Sequence, residues 1–195
     1  MPEIRAGYDV LFDRIKNALA LYADEQAQAD PLLGFDVFVD YYRVMPQSRA
    51  GALCVLYIGN LEPDARKSGA RVHFGYQIQY IIECHALGAR TVGSPDIRGD
   101  VAAGARLRFL IHQVLSALFL PENIDFSFAA GIIGARPAAR VEPIFPDAQQ
   151  IERPIASARI TLEIQMTWDP TRITGPDLEQ LYVDAGRFQA LYGYN

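Results

Sequence analysis

The amino-acid sequence predicts an α+β fold: a mostly antiparallel sheet of long strands, flanked by N-terminal, central and C-terminal helices. Two stretches, 71–87 and 156–168, alternate apolar and polar residues for far longer than an ordinary strand. Three others, at 3–23, at 101–119 and after Gly175-Pro176, place their apolar residues at helical spacing. Short Val-, Phe- and Tyr-rich runs lie between them, giving the order α-β-β-β-α-(β)-β-α. One domain over residues 1–195 accommodates that order, with an irregular extended insertion at 120–155.

In residues 3–23, Ile4, Tyr8, Leu11, Phe12, Ile15, Ala18, Leu19 and Tyr22 fall within an arc of about 120°. Arg5, Asp9, Asp13, Lys16 and Asn17 take the other side, and Asp30-Pro31 then breaks the chain. Residues 35–44 and 53–58 (LCVLYI) read as strands, and GNLEPDARKSGAR, 59–71, reads as a hairpin-type loop. Along 71–87, Val72, Phe74, Tyr76, Ile78, Tyr80, Ile82 and Cys84 point one way. His73, Gln77, Gln79, Ile81, Glu83 and His85 point the other, which describes a half-buried strand with one wet or partner-facing side.

Residues 88–104 are loop-like; Asp100 is placed to cap the next helix and Pro121 to stop it. Leu107, Leu110, Ile111, Val114, Leu115, Ala117 and Leu118 form that helix's core stripe, opposite Arg106, Arg108, His112, Gln113 and Ser116. Phe109 and Phe119 fall on the polar side, which predicts a second contact surface. Within 120–155, 124–128 and 140–145 read as short extended pieces. In 156–168, Ala158, Ile160, Leu162, Ile164, Met166 and Trp168 share a face. Leu178, Leu181, Tyr182, Ala185 and Phe188 are the inward positions of the last helix.

Of the 195 residues, 50% are hydrophobic and 21% charged, so a core needs no metal or disulfide staple. The net charge of -5 and a pI near 5.2 speak against a dedicated nucleic-acid binder. No run approaches a membrane-spanning length, and the charged start lacks the apolar region of a signal peptide. Cys54 and Cys84 are expected to be reduced and buried in strands.

The motifs of nucleotide binding, metalloproteases, α/β-hydrolases and thiol redox chemistry are missing from the sequence. Gly131-Ile132-Ile133-Gly134 lacks the third glycine of a dinucleotide fingerprint. His73 and His85 stand about 40 Å apart along one strand and cannot share a metal. Glu83 and His85 share a face and could supply two positions of a site, but two ligands without a third describe a solvated pair. Cys84 and His85 point to opposite faces, which defeats a thiolate–imidazole pair. His112, between Arg108 and Ser116, reads as a surface histidine. Glu62, Asp64, Asp96 and Asp100 lie in loops with neither nucleophile nor oxyanion site nearby. No catalytic residue, cofactor or metal is expected.

A 13-residue strand spans about 43 Å, and a compact domain of this size is only about 42 Å across. Such strands either bend through bulges or run the full width and offer edges to other chains, and assembly is the favoured reading.

The helix IRAGYDVLFDRIKNALALY, the strand RVHFGYQIQYIIECHA, the helix GARLRFLIHQVLSALF and the strand ARITLEIQMTWDP are similar, in pattern and order, to the tail terminator proteins of tailed bacteriophages and related phage-derived particles. These tail-completion or minor tail proteins share that arrangement over about two thirds of the chain. The resemblance implies a structural protein without catalysis, found in the host cytoplasm during assembly and then in the virion tail. It implies a homo-oligomeric ring, typically a hexamer, that caps the tail tube, ends its polymerisation and docks the head-side connector. An acidic lumen would let DNA pass without sticking; no specific nucleic acid and no membrane are implied as partners. On this reading Arg66, Lys67, Arg71, Arg90 and Arg98, in loops 59–71 and 88–104, supply charge to neighbouring subunits. Phe109, Phe119, Tyr192 and Tyr194 are the aromatic interface candidates. Two other readings stay open: a tube or baseplate component of a contractile injection device, and a small enzyme or ligand-binding domain with a pocket between the sheet and helix 101–119.

Overall fold

The computed structural model describes residues 7–40, 51–63, 74–88, 99–124, 126, 128, 133–134, 138–144 and 155–168. Their order is α1 (Gly7–Ala29), β1 (Asp36–Val39), β2 (Ala52–Pro63), β3 (Phe74–Leu87), α2 (Gly99–Phe119), β4 (Ala138–Ile144) and β5 (Ile155–Trp168). The strands form one sheet in the order β1-β2-β3-β5-β4. Among the described residues only β1 and β2 pair in parallel; the other three pairings are antiparallel. The fold is therefore α+β with a mostly antiparallel five-stranded sheet. The sequence-predicted C-terminal helix lies outside the described residues.

α1 outruns its apolar stripe. Leu11, Ile15, Leu19 and Ala23 are buried at helical spacing. The helix then continues to Ala29 through residues that are mostly strong helix formers, past the boundary at 23 that periodicity alone sets. It ends where Leu33 donates to the Asp30 carbonyl at 2.8 Å and Asp30 Oδ1 accepts from Leu32 N at 2.9 Å, a turn that Pro31 favours.

β3 and β5 pair over 14 consecutive positions without a register shift, from Phe74 opposite Trp168 to Leu87 opposite Ile155. Fourteen residues span about 46 Å, against about 32 Å for the 21-residue α2. β3 and β5 thus pair along their full lengths without a bulge between them.

The bulge lies in β2, between Ile58 and Asn60. The sequence places a loop from residue 59, but the strand continues to Pro63 because the bulge resets its alternation. Leu53, Val55 and Tyr57 share one face before it, and Asn60 and Glu62 share that face after it. Leu61 therefore turns inward, against the core. Gly59 permits this: a Cβ there would collide with the end of the Ile81 side chain.

Both helices cover one face of the sheet. Tyr80, Ile78, Ile82 and Cys84 of β3, with Ile160, Leu162, Ile164 and Met166 of β5, meet Leu110, Val114, Ala117 and Leu118 of α2 and the buried stripe of α1 in one core. Tyr80 Oη donates to the Tyr8 carbonyl at 2.8 Å, fixing the start of α1 over the sheet centre. Gln113, read from periodicity as part of the polar face of α2, is buried and donates to the Leu33 carbonyl at 2.8 Å. Asp100 falls inside the first turn of α2 rather than at its cap.

Within the segment expected to be extended at 124–128, Ile124 and Phe126 lie in turns instead. Pro121–Asn123 forms a 3₁₀ turn, and Phe126 takes a left-handed conformation at φ 46°. Arg14 of α1 holds it: one guanidinium nitrogen donates to the Phe126 carbonyl at 2.7 Å, and the group lies 4.0 Å from the centre of the Phe128 ring. Cys54 and Cys84 face each other across β2 and β3 as buried free thiols, as the sequence predicts.

Candidate functional site

The side of the sheet away from the helices is graded along its length. Leu53 and Val55 of β2 and Ser157 of β5 are buried at one end, while Gln77, Glu163, Gln165, Asn60 and Glu62 are exposed at the other. Between them register places opposite charges side by side, since Glu83 of β3 stands directly across from Arg159 of β5. Arg159 donates to Glu83 Oε1 from Nη2 at 2.7 Å and from Nε at 3.3 Å, and Tyr57 Oη donates to the same oxygen at 2.8 Å. His85 Nε2 lies 3.8 Å from the other carboxylate oxygen, and its Nδ1 is 2.8 Å from Ser157 Oγ. Farther toward the wet end, Gln79 donates to Glu163 at 3.1 Å.

The Glu83 carboxyl is held down at about 2. The neighbouring His85 contributes most, then the Arg159 and Tyr57 hydrogen bonds, against partial burial that pushes the other way. The Arg159 guanidinium is pushed up in return, chiefly by its bond to Glu83. Ser157, His85 and Glu83 follow the order of a hydrolase relay. The geometry departs from such a relay, because Glu83 Oε2 stands 3.8 Å from the imidazole, longer than a hydrogen bond, and Ser157 is buried. The cluster ties β2, β3 and β5 together across the sheet. The Glu83–His85 pair expected to be solvated is thus part of a five-residue network with Tyr57, Ser157 and Arg159.

A pocket between the sheet and α2 would have to occupy space that Leu110, Val114, Ala117 and Leu118 fill against Ile82, Ile160 and Leu162. Among the described residues, no three His, Cys, Asp or Glu side chains converge as a metal site requires, and no helix is long and apolar enough to cross a membrane.

Phe109 and Phe119 are the two sequence-predicted interface residues that the structure describes, and they are 41% and 40% exposed. Ten residues of helix separate them by about 15 Å. Val101, at 58% exposure, extends the same outward side toward the start of α2, and Leu21 of α1 is 64% exposed. Neither was singled out from sequence, although outward helical positions would have found both. At the β4 edge Val141 is 42% exposed beside Pro143, which blunts that edge. Arg66, Lys67, Arg71, Arg90, Arg98, Tyr192 and Tyr194 lie outside the described residues.

No family model matches the chain, and no curated protein does. Among solved structures, the chain is similar to the PVC sheath/tube terminator in its extended state, part of an extracellular contractile injection system seen by cryo-electron microscopy. The TM-score is 0.35 and the identity 15%, over 85% of this chain. The chain spans 57% of that protein's length.

Proposed function

We propose that the chain is a structural tail protein that closes as a ring, a hexamer in our reading, on the end of a tail tube. By occupying that end the ring stops further addition of tube subunits and presents a surface to the head-side connector. The work is mechanical and involves no catalytic step. The observation that carries the reading is the double use of α2. Its inner side is buried in the core, while Val101, Phe109 and Phe119 keep apolar surface on its solvent side. Apolar side chains held outward on a rigid helix suit a partner surface better than a substrate. The unbroken β3–β5 ladder supplies the rigid body such a ring needs. Arg66, Lys67, Arg71, Arg90 and Arg98, with Tyr192 and Tyr194, are proposed as further contacts to neighbouring or tube subunits.

The test is co-expression with the tube subunit from the same gene cluster, reading tube length by electron microscopy. Tubes should be capped and bounded in length with the chain present, and long and uncapped with Phe109→Asp/Phe119→Asp. Unchanged tube length with and without the wild-type chain sinks the reading.

A further inference from the structure

The outward sides of the two helices differ in charge. On α1 the exposed residues Asn17, Leu21, Asp24, Glu25 and Gln28 recur every three or four positions and form one stripe. Its charged members are both carboxylates, placed three and four residues after Leu21. On α2 the corresponding stripe is Val101, Arg108, Phe109, His112 and Phe119, and its permanent charge is the guanidinium next to Phe109. Each stripe therefore carries exposed apolar surface with charge of one sign beside it: Leu21 on α1, and Val101, Phe109 and Phe119 on α2.

Within one chain these stripes cannot meet. Leu11, Ile15 and Leu19 on one helix and Leu110, Val114 and Leu118 on the other face the same sheet and share its core, so both stripes point away from it. We propose that the α2 stripe of one copy seats on the α1 stripe of a second copy, Phe109 against Leu21 and Arg108 against Asp24 and Glu25. Charge complementarity selects a second copy of this chain as the occupant, because each copy carries both halves. The contact joins two different surfaces and is heterologous, so it propagates from copy to copy and closes when the rotation allows. That closure into a cap rests on the tail-terminator reading; the pairwise contact does not. A contact of two helix stripes is small for a stable complex, so it is weak alone and gains from the two contacts per copy that a ring supplies.

The experiment uses Leu21→Cys and Phe109→Cys in separate full-length chains, one of them affinity-tagged. Both sites are exposed and leave the core intact, and the native Cys54 and Cys84 are buried. Equal mixtures are oxidised at high concentration and also on capped tubes. The mixed disulfide should exceed the like pairs well beyond its statistical share. Adding Arg108→Glu to the Phe109→Cys chain should lower it several-fold, and Asp24→Arg in the Leu21→Cys chain should restore it. Like pairs at their statistical share, or no mixed disulfide on capped tubes, overturns the contact. Capped tubes that yield only like pairs reject this contact and leave the terminator reading standing. Mixed disulfides alongside uncapped, unbounded tubes do the reverse.

Discussion

Glu83 owes much of its environment to residues distant in the sequence. Local sequence announces His85 but not its other partners: Tyr57 is 26 positions away and Arg159 is 76. Its carboxyl sits near 4.5 when unfolded and about 2 when folded. A depressed carboxyl stabilises the fold above its unfolded value, and that contribution drains away as pH falls from about 4.5 toward 2. Denaturation measured across that window should show wild-type stability dropping, with a flatter slope for Glu83→Gln. At pH 7 the same variant should lose about 1–3 kcal/mol, since the hydrogen bonds broken are to a charged group. The two thiols make a second test at this scale. Burial pushes Cys84 up to about 12 and Cys54 in the same direction. A thiol reagent at mildly alkaline pH should therefore label the native chain only as fast as the sheet opens. Fast labelling of either cysteine would contradict their burial.

Among the elements, β2 depends most on one position. The Gly59 bulge exchanges the two faces of the strand, so Leu61 packs inward while Asn60 and Glu62 stay wet. Gly59→Ala should cost about 1–3 kcal/mol by forcing Ile81 aside, and Ile81→Ala in the same chain should recover part of that loss. Thermal melts of the two single variants and the double variant measure this coupling. α2 has its own pin in Gln113. Replacing it with Leu leaves the Leu33 carbonyl without that donor and should cost about 1–3 kcal/mol in the same assay. That loss would loosen the turn after α1 rather than α2 itself, which amide exchange of residues 30–35 would report.

For the whole molecule, stability and assembly should separate. The core is continuous from α1 through the sheet to α2, whereas Val101, Phe109 and Phe119 project from its surface. Phe109→Asp/Phe119→Asp should leave the melting temperature within about 2–4 °C of wild type, because exposed positions usually change stability little. Capping of tubes should still fail. Charge reversal of Arg90 and Arg98 should likewise lower assembly without lowering the melting temperature, measured by sizing on tubes and by calorimetry. Normal assembly would remove those two residues from the interface.

The sequence by itself determined which residues turn inward. Alternation in β3 and β5 and helical spacing in α1 and α2 name almost the whole core, because burial imposes a period on any element with one dry side. The same periodicity marked Phe109 and Phe119 as outward aromatics. Only the tertiary structure decided register, and register made the Tyr57–Glu83–Arg159 cluster by bringing distant positions of three strands to one point on the sheet. It also decided that β2 survives Gly59, since a bulge there requires that no Cβ compete with Ile81 across the ladder. Gln113 shows the same limit: a polar residue at the margin of a helix stripe is wet or buried according to whether another element offers it a hydrogen bond. Local chemistry sets the period of each element, but pairing energies that depend on distant residues choose which periods meet.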